Sequence, residues 1–129
     1  MHPNPQILPV YAALFALFFV VLSVRTLRLR RSLRIAIGDS GNETMLRAMR
    51  VHSNFAEYVP LCLFLILLVE LRAAPAVLVH SLCVCLLVGR ISHALGVSRI
   101  NEDYRLRVFG MAMTFTTLVS SAIYLLLQL

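Results

Sequence analysis

The 129-residue sequence contains no lysine, and twelve arginines stand against six acidic residues. Charged residues make up only 14% of the chain and hydrophobic ones 60%, whereas soluble domains carry about 25% and about 45–50%. So little charge excludes an ordinary soluble domain. Cysteine is scarce as well: Cys62, Cys83 and Cys85 are odd in number and form no C-x-x-C pair. That argues against a disulfide framework or a dithiol redox centre, and leaves small apolar packing residues. No cluster of His, Cys and carboxylate has metal-ligand spacing, so no metal is expected. A glycine-rich phosphate loop and a serine-nucleophile signature are also missing.

What is present is apolar and long. Residues 7–24, 73–89 and 108–129 are free of charge, and a shorter uncharged run at 59–69 extends backward through an amphipathic stretch from Glu43. About 20 apolar residues cross a bilayer as a helix. The expected fold is therefore all-α: an integral membrane four-helix bundle forming one domain over 1–129, with helices at about 8–33, 43–72, 75–95 and 103–128. The first span does not read as a cleavable signal, because its basic residues follow the apolar run and no small-residue cleavage site appears.

Seven arginines flank the first connection (Arg25, Arg28, Arg30, Arg31, Arg34, Arg47, Arg50) and four the third (Arg90, Arg99, Arg105, Arg107), with Arg72 alone at the second. The positive-inside rule places connections one and three in the cytoplasm and both termini on the opposite face. Since orientation accounts for most of this basic charge, no nucleic-acid partner is expected. Membrane lipids are the expected surroundings.

Local signals set the connections. Pro3, Pro5 and Pro9 are expected to keep the N-terminus irregular. Gly38 and Gly41 permit a turn, Asp39, Ser40 or Asn42 can cap the second helix, Pro75 opens the third, "GVSRINED" (96–103) ends it, and Asn101 or Asp103 can cap the fourth. A second helix from Glu43 to Arg72 outruns the bilayer, so two or three turns should project into the cytoplasm.

The polar residues of "AMRVHSNFAEYVP" (48–60) fall on one face of that helix. Arg50, Asn54 and Glu57 lie within about 60° of one another at 100° per residue, with Arg47 on the same stripe, Tyr58 beside it and His52 pointing the other way. Such groups cost about 2.5–3.5 kcal/mol each in the middle of a bilayer, so they must face the bundle interior, another subunit or a wet cavity. An internal Arg50–Glu57 salt bridge and a helix–helix hydrogen bond from Asn54 are the structural alternatives. Arg25, Arg90 and Arg107 come to the same membrane level from the other helices, with His93 one turn beyond Arg90. Arginine converging at one depth, against only Glu57, Glu102 and Asp103, suits an anionic ligand. His80 stands alone mid-span and reads as a neutral packing residue.

The motif Arg-x-x-x-Asn-x-x-Glu-Tyr-x-Pro, residues 50–60, resembles the start of the second helix of the MAPEG family, the membrane-associated proteins in eicosanoid and glutathione metabolism. "GRISHALG" (89–96) resembles that family's third helix and "RVFGMAMT" (107–114) the start of its fourth, so the resemblance covers nearly the whole chain. It is nearest to the short bacterial members, which implies a bacterial inner membrane. The resemblance implies a homotrimer, with glutathione as co-substrate between neighbouring subunits. Arg50, Asn54, Glu57 and Tyr58 would contact it from the second helix, and His52, Arg25, Arg90 and His93 would complete the site. Arg107 would stabilise the glutathione thiolate, with Arg105 as its rival. A transferase or peroxidase acting on a hydrophobic small-molecule electrophile or lipid hydroperoxide is implied, the alternative being a non-catalytic lipid- or glutathione-binding scaffold. Val97 stands where well-studied members carry a tyrosine. A small exporter fits poorly, since Glu57 and Glu70 lie toward opposite ends of the second helix.

Overall fold

The computed structural model describes residues 5–128, so the expectation for Pro3 lies outside the described residues. Four helices make up the chain: α1 (Leu8–Leu33), α2 (Glu43–Leu71), α3 (Ala76–Val97) and α4 (Tyr104–Leu127). Each is long and apolar enough to cross a membrane. The 29 residues of α2 span about 44 Å at 1.5 Å per residue, against about 30 Å of hydrocarbon, so its polar N-terminal turns extend past one boundary.

The connections follow their turn chemistry. Arg34 closes α1 in the left-handed conformation, and Gly38 and Gly41 take positive φ in the turn. Asn42 caps α2 by accepting the Met45 N–H at 3.0 Å, and Asp103 caps α4 by accepting that of Arg105 at 3.0 Å. Pro9 sits inside the first turn of α1 and not ahead of the helix, a position where its missing N–H removes no intrahelical bond. The exposed N–H groups of that turn find an acceptor on another helix. Glu70 of α2 accepts from the backbone nitrogens of Gln6, Ile7 and Leu8 at 2.8, 2.7 and 2.9 Å. A carboxylate at a helix N-terminus also meets the positive end of the helix dipole.

Two kinds of packing assemble the bundle. Phe15, Phe18 and Phe19 of α1 close on Phe55 of α2, with ring centroids 5.2–6.2 Å apart. Between α3 and α4 the packing is backbone on backbone. A methyl group on Gly110 would lie 2.6 Å from the Gly89 carbonyl oxygen and 2.7 Å from the His93 nitrogen, and one on Gly96 would lie 2.9 Å from the Arg107 nitrogen. Bare glycines and the buried small residues Thr114, Thr117 and Ser121 let these helices approach, as membrane helices do when hydrophobic exclusion cannot drive them together. Thr114 and Thr117 return their hydroxyls to the carbonyls of Gly110 and Met113 in the preceding turn.

Gly96 explains the one clear departure in helix length. The expected end at residue 95 treats Gly96 as a terminator, but α3 runs on to Val97 because the glycine is a contact point for α4. Gly110→Val should therefore lower stability by about 1–3 kcal/mol through overpacking, read as a fall in the thermal unfolding temperature of the detergent-solubilised protein. Ala112→Val, on the exposed side of the same helix, should leave it unchanged.

Candidate functional site

At the arginine-rich end the alternating three- and four-residue spacing on α2 gathers Arg47, Arg50, Asn54 and Glu57 on the wall of an open cavity of about 400 Å³, which His93 and Val97 of α3, Glu102 of the last loop and Arg107 of α4 also line. A larger groove of about 690 Å³ runs along α1 past Val20, Val24, Arg25 and Arg28, but its lining is mainly apolar. The smaller cavity is where polar groups converge from several elements, which is the usual mark of a binding site.

Of the residues that the family resemblance assigns to the site, five line this cavity: Arg50, Asn54, Glu57, His93 and Arg107. Arg105 does not, because two residues along a helix turn it away from Arg107, and its side chain is exposed elsewhere. His52 faces α1, stacked on Phe19 at 4.7 Å with its Nε2 3.0 Å from the Ser23 hydroxyl. Arg25 donates to the Ser98 hydroxyl. Tyr58 packs edge-on against Phe115 of α4, with 5.7 Å between ring centroids. Arg90 lies behind the cavity, 2% exposed.

Three ion pairs organise the mouth. Arg47 reaches Glu43 one turn earlier at 3.0 Å and Glu102 at 3.0 Å, while Arg107 meets the other oxygen of Glu102 at 3.4 Å. Glu102, its side chain 6% exposed, thereby ties the N-terminal turns of α2 to the start of α4. Arg47 also donates to the Val97 carbonyl at 3.2 Å, which fastens the end of α3 to the same cluster. Sequence reasoning noted Arg47 on the stripe and Glu102 at the level, but assigned neither to the site. The Glu43–Arg47 spacing is a readable helix pair, whereas the Glu102 contacts span 55 and 5 residues and carry no local signal.

The internal Arg50–Glu57 salt bridge does not form, and among the described residues neither side chain has an ion-pair partner. Seven residues separate them, about 10 Å along the helix axis. The cavity thus offers one uncommitted cation and one uncommitted anion. Its wall carries Arg47, Arg50 and Arg107 against Glu43, Glu57 and Glu102, three against three. A further positive charge directly behind the wall sits on Arg90, which has no carboxylate within ion-pair reach among the described residues. No group of three or more His, Cys, Asp or Glu able to hold a metal ion occurs among the described residues.

Because Glu102 joins two arginines and Arg50 joins none, the two should differ on replacement. Glu102→Gln should cost about 1 kcal/mol, seen as a lower unfolding temperature, while Arg50→Gln should stay within about 0.5 kcal/mol of wild type.

The family described as the MAPEG family matches residues 8–127. Curated relatives include the inner membrane protein YecN of Escherichia coli (strain K12) and that of Escherichia coli O6:H1, each 36% identical over 109 residues, 84% of this chain and 82% of the relative. No solved structure matches. With four apolar helices and a family match reaching from the start of α1 to the end of α4, the chain belongs to the MAPEG family.

Proposed function

We propose that the protein is a membrane-bound glutathione transferase or peroxidase that forms the glutathione thiolate at the arginine-rich end of its bundle. The observation that carries this reading is the pair of uncommitted charges, Arg50 and Glu57, on one wall of a polar cavity that Arg107 also lines. Glutathione has two carboxylates and an ammonium, so it needs a guanidinium and a carboxylate at once. A polyanion would leave Glu57 unanswered, and an amine would leave Arg50 so.

The chemistry asked of the chain is modest. A free thiol titrates near pKa ~8.5. A guanidinium beside the sulfur favours the thiolate, and the thiol proton passes to water. In conjugation the sulfur lone pair forms a bond to an electrophilic carbon, and either a leaving group departs with its electron pair or the electrons move into the acceptor's conjugated system and are protonated. In peroxide reduction two glutathiones give up two electrons, forming the disulfide, while the hydroperoxide becomes an alcohol and water. Arg107 is the residue assigned to the thiolate. Its position on the cavity wall favours it over Arg105.

The proposal extends to a homotrimer in the bacterial inner membrane, oriented with loops one and three in the cytoplasm. Arg25 and His52 lie away from the cavity of their own chain, and a neighbouring subunit's cavity would meet them there. The relatives named as inner membrane proteins support the location. A hydrophobic electrophile would enter from the lipid side.

A second reading, a binding scaffold without catalysis, is favoured by Val97, which lines the cavity without a side-chain hydrogen-bond donor, and by Glu102, which engages Arg107. Stopped-flow absorbance on mixing purified protein with glutathione separates the two. Catalysis requires a thiolate signal near neutral pH that Arg107→Ala abolishes with assembly intact. A wild type that binds glutathione by calorimetry but gives neither thiolate nor turnover is a scaffold. Retained turnover in Arg107→Ala overturns the role of Arg107.

A further inference from the structure

Arg90 is enclosed by protein, yet it is poorly satisfied. One terminal nitrogen donates to the Asn54 side-chain oxygen at 2.9 Å and lies 3.5 Å from the Asn54 main-chain carbonyl. The other faces the Met111 sulfur at 3.7 Å, a weak acceptor. Its Nε is buried with no partner among the described residues. A buried charge without a counter-ion is expensive, and removing the expense takes either neutralisation or an anion nearby.

Asn54 is the link between this charge and the cavity. A guanidinium has only donors, so the oxygen of the Asn54 amide must face it, and the amide NH₂ must point elsewhere. That nitrogen has no hydrogen-bond partner among the described residues and is not enclosed, and Asn54 lines the cavity. Asparagine is therefore a relay. It accepts from a buried cation and turns a donor outward. Aspartate in its place would neutralise Arg90 and present a negatively charged oxygen instead.

We infer that Arg90 is a positioning residue that does not itself touch ligand: it fixes the Asn54 amide with its NH₂ toward the cavity, and its uncompensated charge makes a wall of balanced arginines and glutamates selective for an anionic group. The inference rests on the glutathione reading of the same cavity and names the element of that site which sets its sign. A ligand carboxylate on Asn54 then supplies, through the amide, the counter-charge that the fold withholds from Arg90.

Two variants of the detergent-solubilised protein test this, with glutathione as the probe in calorimetry and unfolding temperature measured alongside. Asn54→Asp gives Arg90 an internal counter-ion, so the unfolding temperature should rise while glutathione affinity falls about tenfold or more. Arg90→Met removes the buried charge without opening a large cavity, so the unfolding temperature should hold or rise while affinity again falls about tenfold. A purely structural role would move the unfolding temperature and leave affinity alone, and wild-type affinity in either folded variant overturns the inference while the glutathione reading stands. A wild-type protein that binds no glutathione overturns that reading and this inference with it.

Discussion

The contact on which the arrangement depends is the backbone crossing of α3 and α4 at Gly89, Gly96 and Gly110. It holds the two helices closer than any side chain would allow, and the site residues are spaced around it. Arg90 follows Gly89, His93 packs its own backbone against Gly110, and Arg107 has its nitrogen beside Gly96. If α3 and α4 moved apart by the width of a methyl group, His93 and Arg107 would separate and Glu102, in the loop between, would lose its reach to one of its arginines. The glycines thus do by absence what the ion pairs do by charge.

Polar groups in this chain are dealt with according to where they lie. At the end away from the cavity, Glu70 accepts three backbone N–H groups at the start of α1, and Tyr11 meets His80 Nδ1 at 3.0 Å. Within the bundle, Thr114 and Thr117 satisfy themselves on their own helix. At the cavity the pattern changes. Among the described residues the side chains of Arg50 and Glu57 and the Asn54 amide nitrogen have no partners, and Arg90 is only partly served. Away from the cavity the Ser121 hydroxyl is the one buried side-chain group without a partner among the described residues, so the open polar groups collect at the cavity, where recognition groups belong.

Much of this was legible in the sequence, because in a membrane the hydrophobic runs set the helices and the periodicity sets their faces. The Arg47–Arg50–Asn54–Glu57 stripe and the turn of His52 away from it follow from 100° per residue, and the structure places them so. Gly96 was misleading for a physical reason: a glycine that ends a helix and one that admits a neighbouring helix look alike in one dimension. Glu70 at the N-terminus of α1 and Glu102 between Arg47 and Arg107 were not legible. Their partners lie across the bundle, and nothing in the local sequence of an acid says which distant donors it will meet. Nor does spacing tell whether Arg50 and Glu57 pair with each other. They are two turns apart, which permits a common face, and only the folded chain shows them unpaired.

The site's charge is where the sequence and the structure lead to different arguments. Counting arginines at one membrane level suggests an anion trap. In the folded chain the cavity wall is balanced, three arginines to three glutamates, and Glu102 already occupies two of the cations. A balanced wall repels a polyanion less than a negative one would, but gives it nothing that water and salt do not. What distinguishes this wall is that its remaining free charges are of opposite sign and about 10 Å apart along α2, with a buried, uncompensated guanidinium behind the amide between them. A ligand carrying both an anion and a cation can answer all three, and its gain is largest where solvent is excluded, because the opposing charges there are screened least.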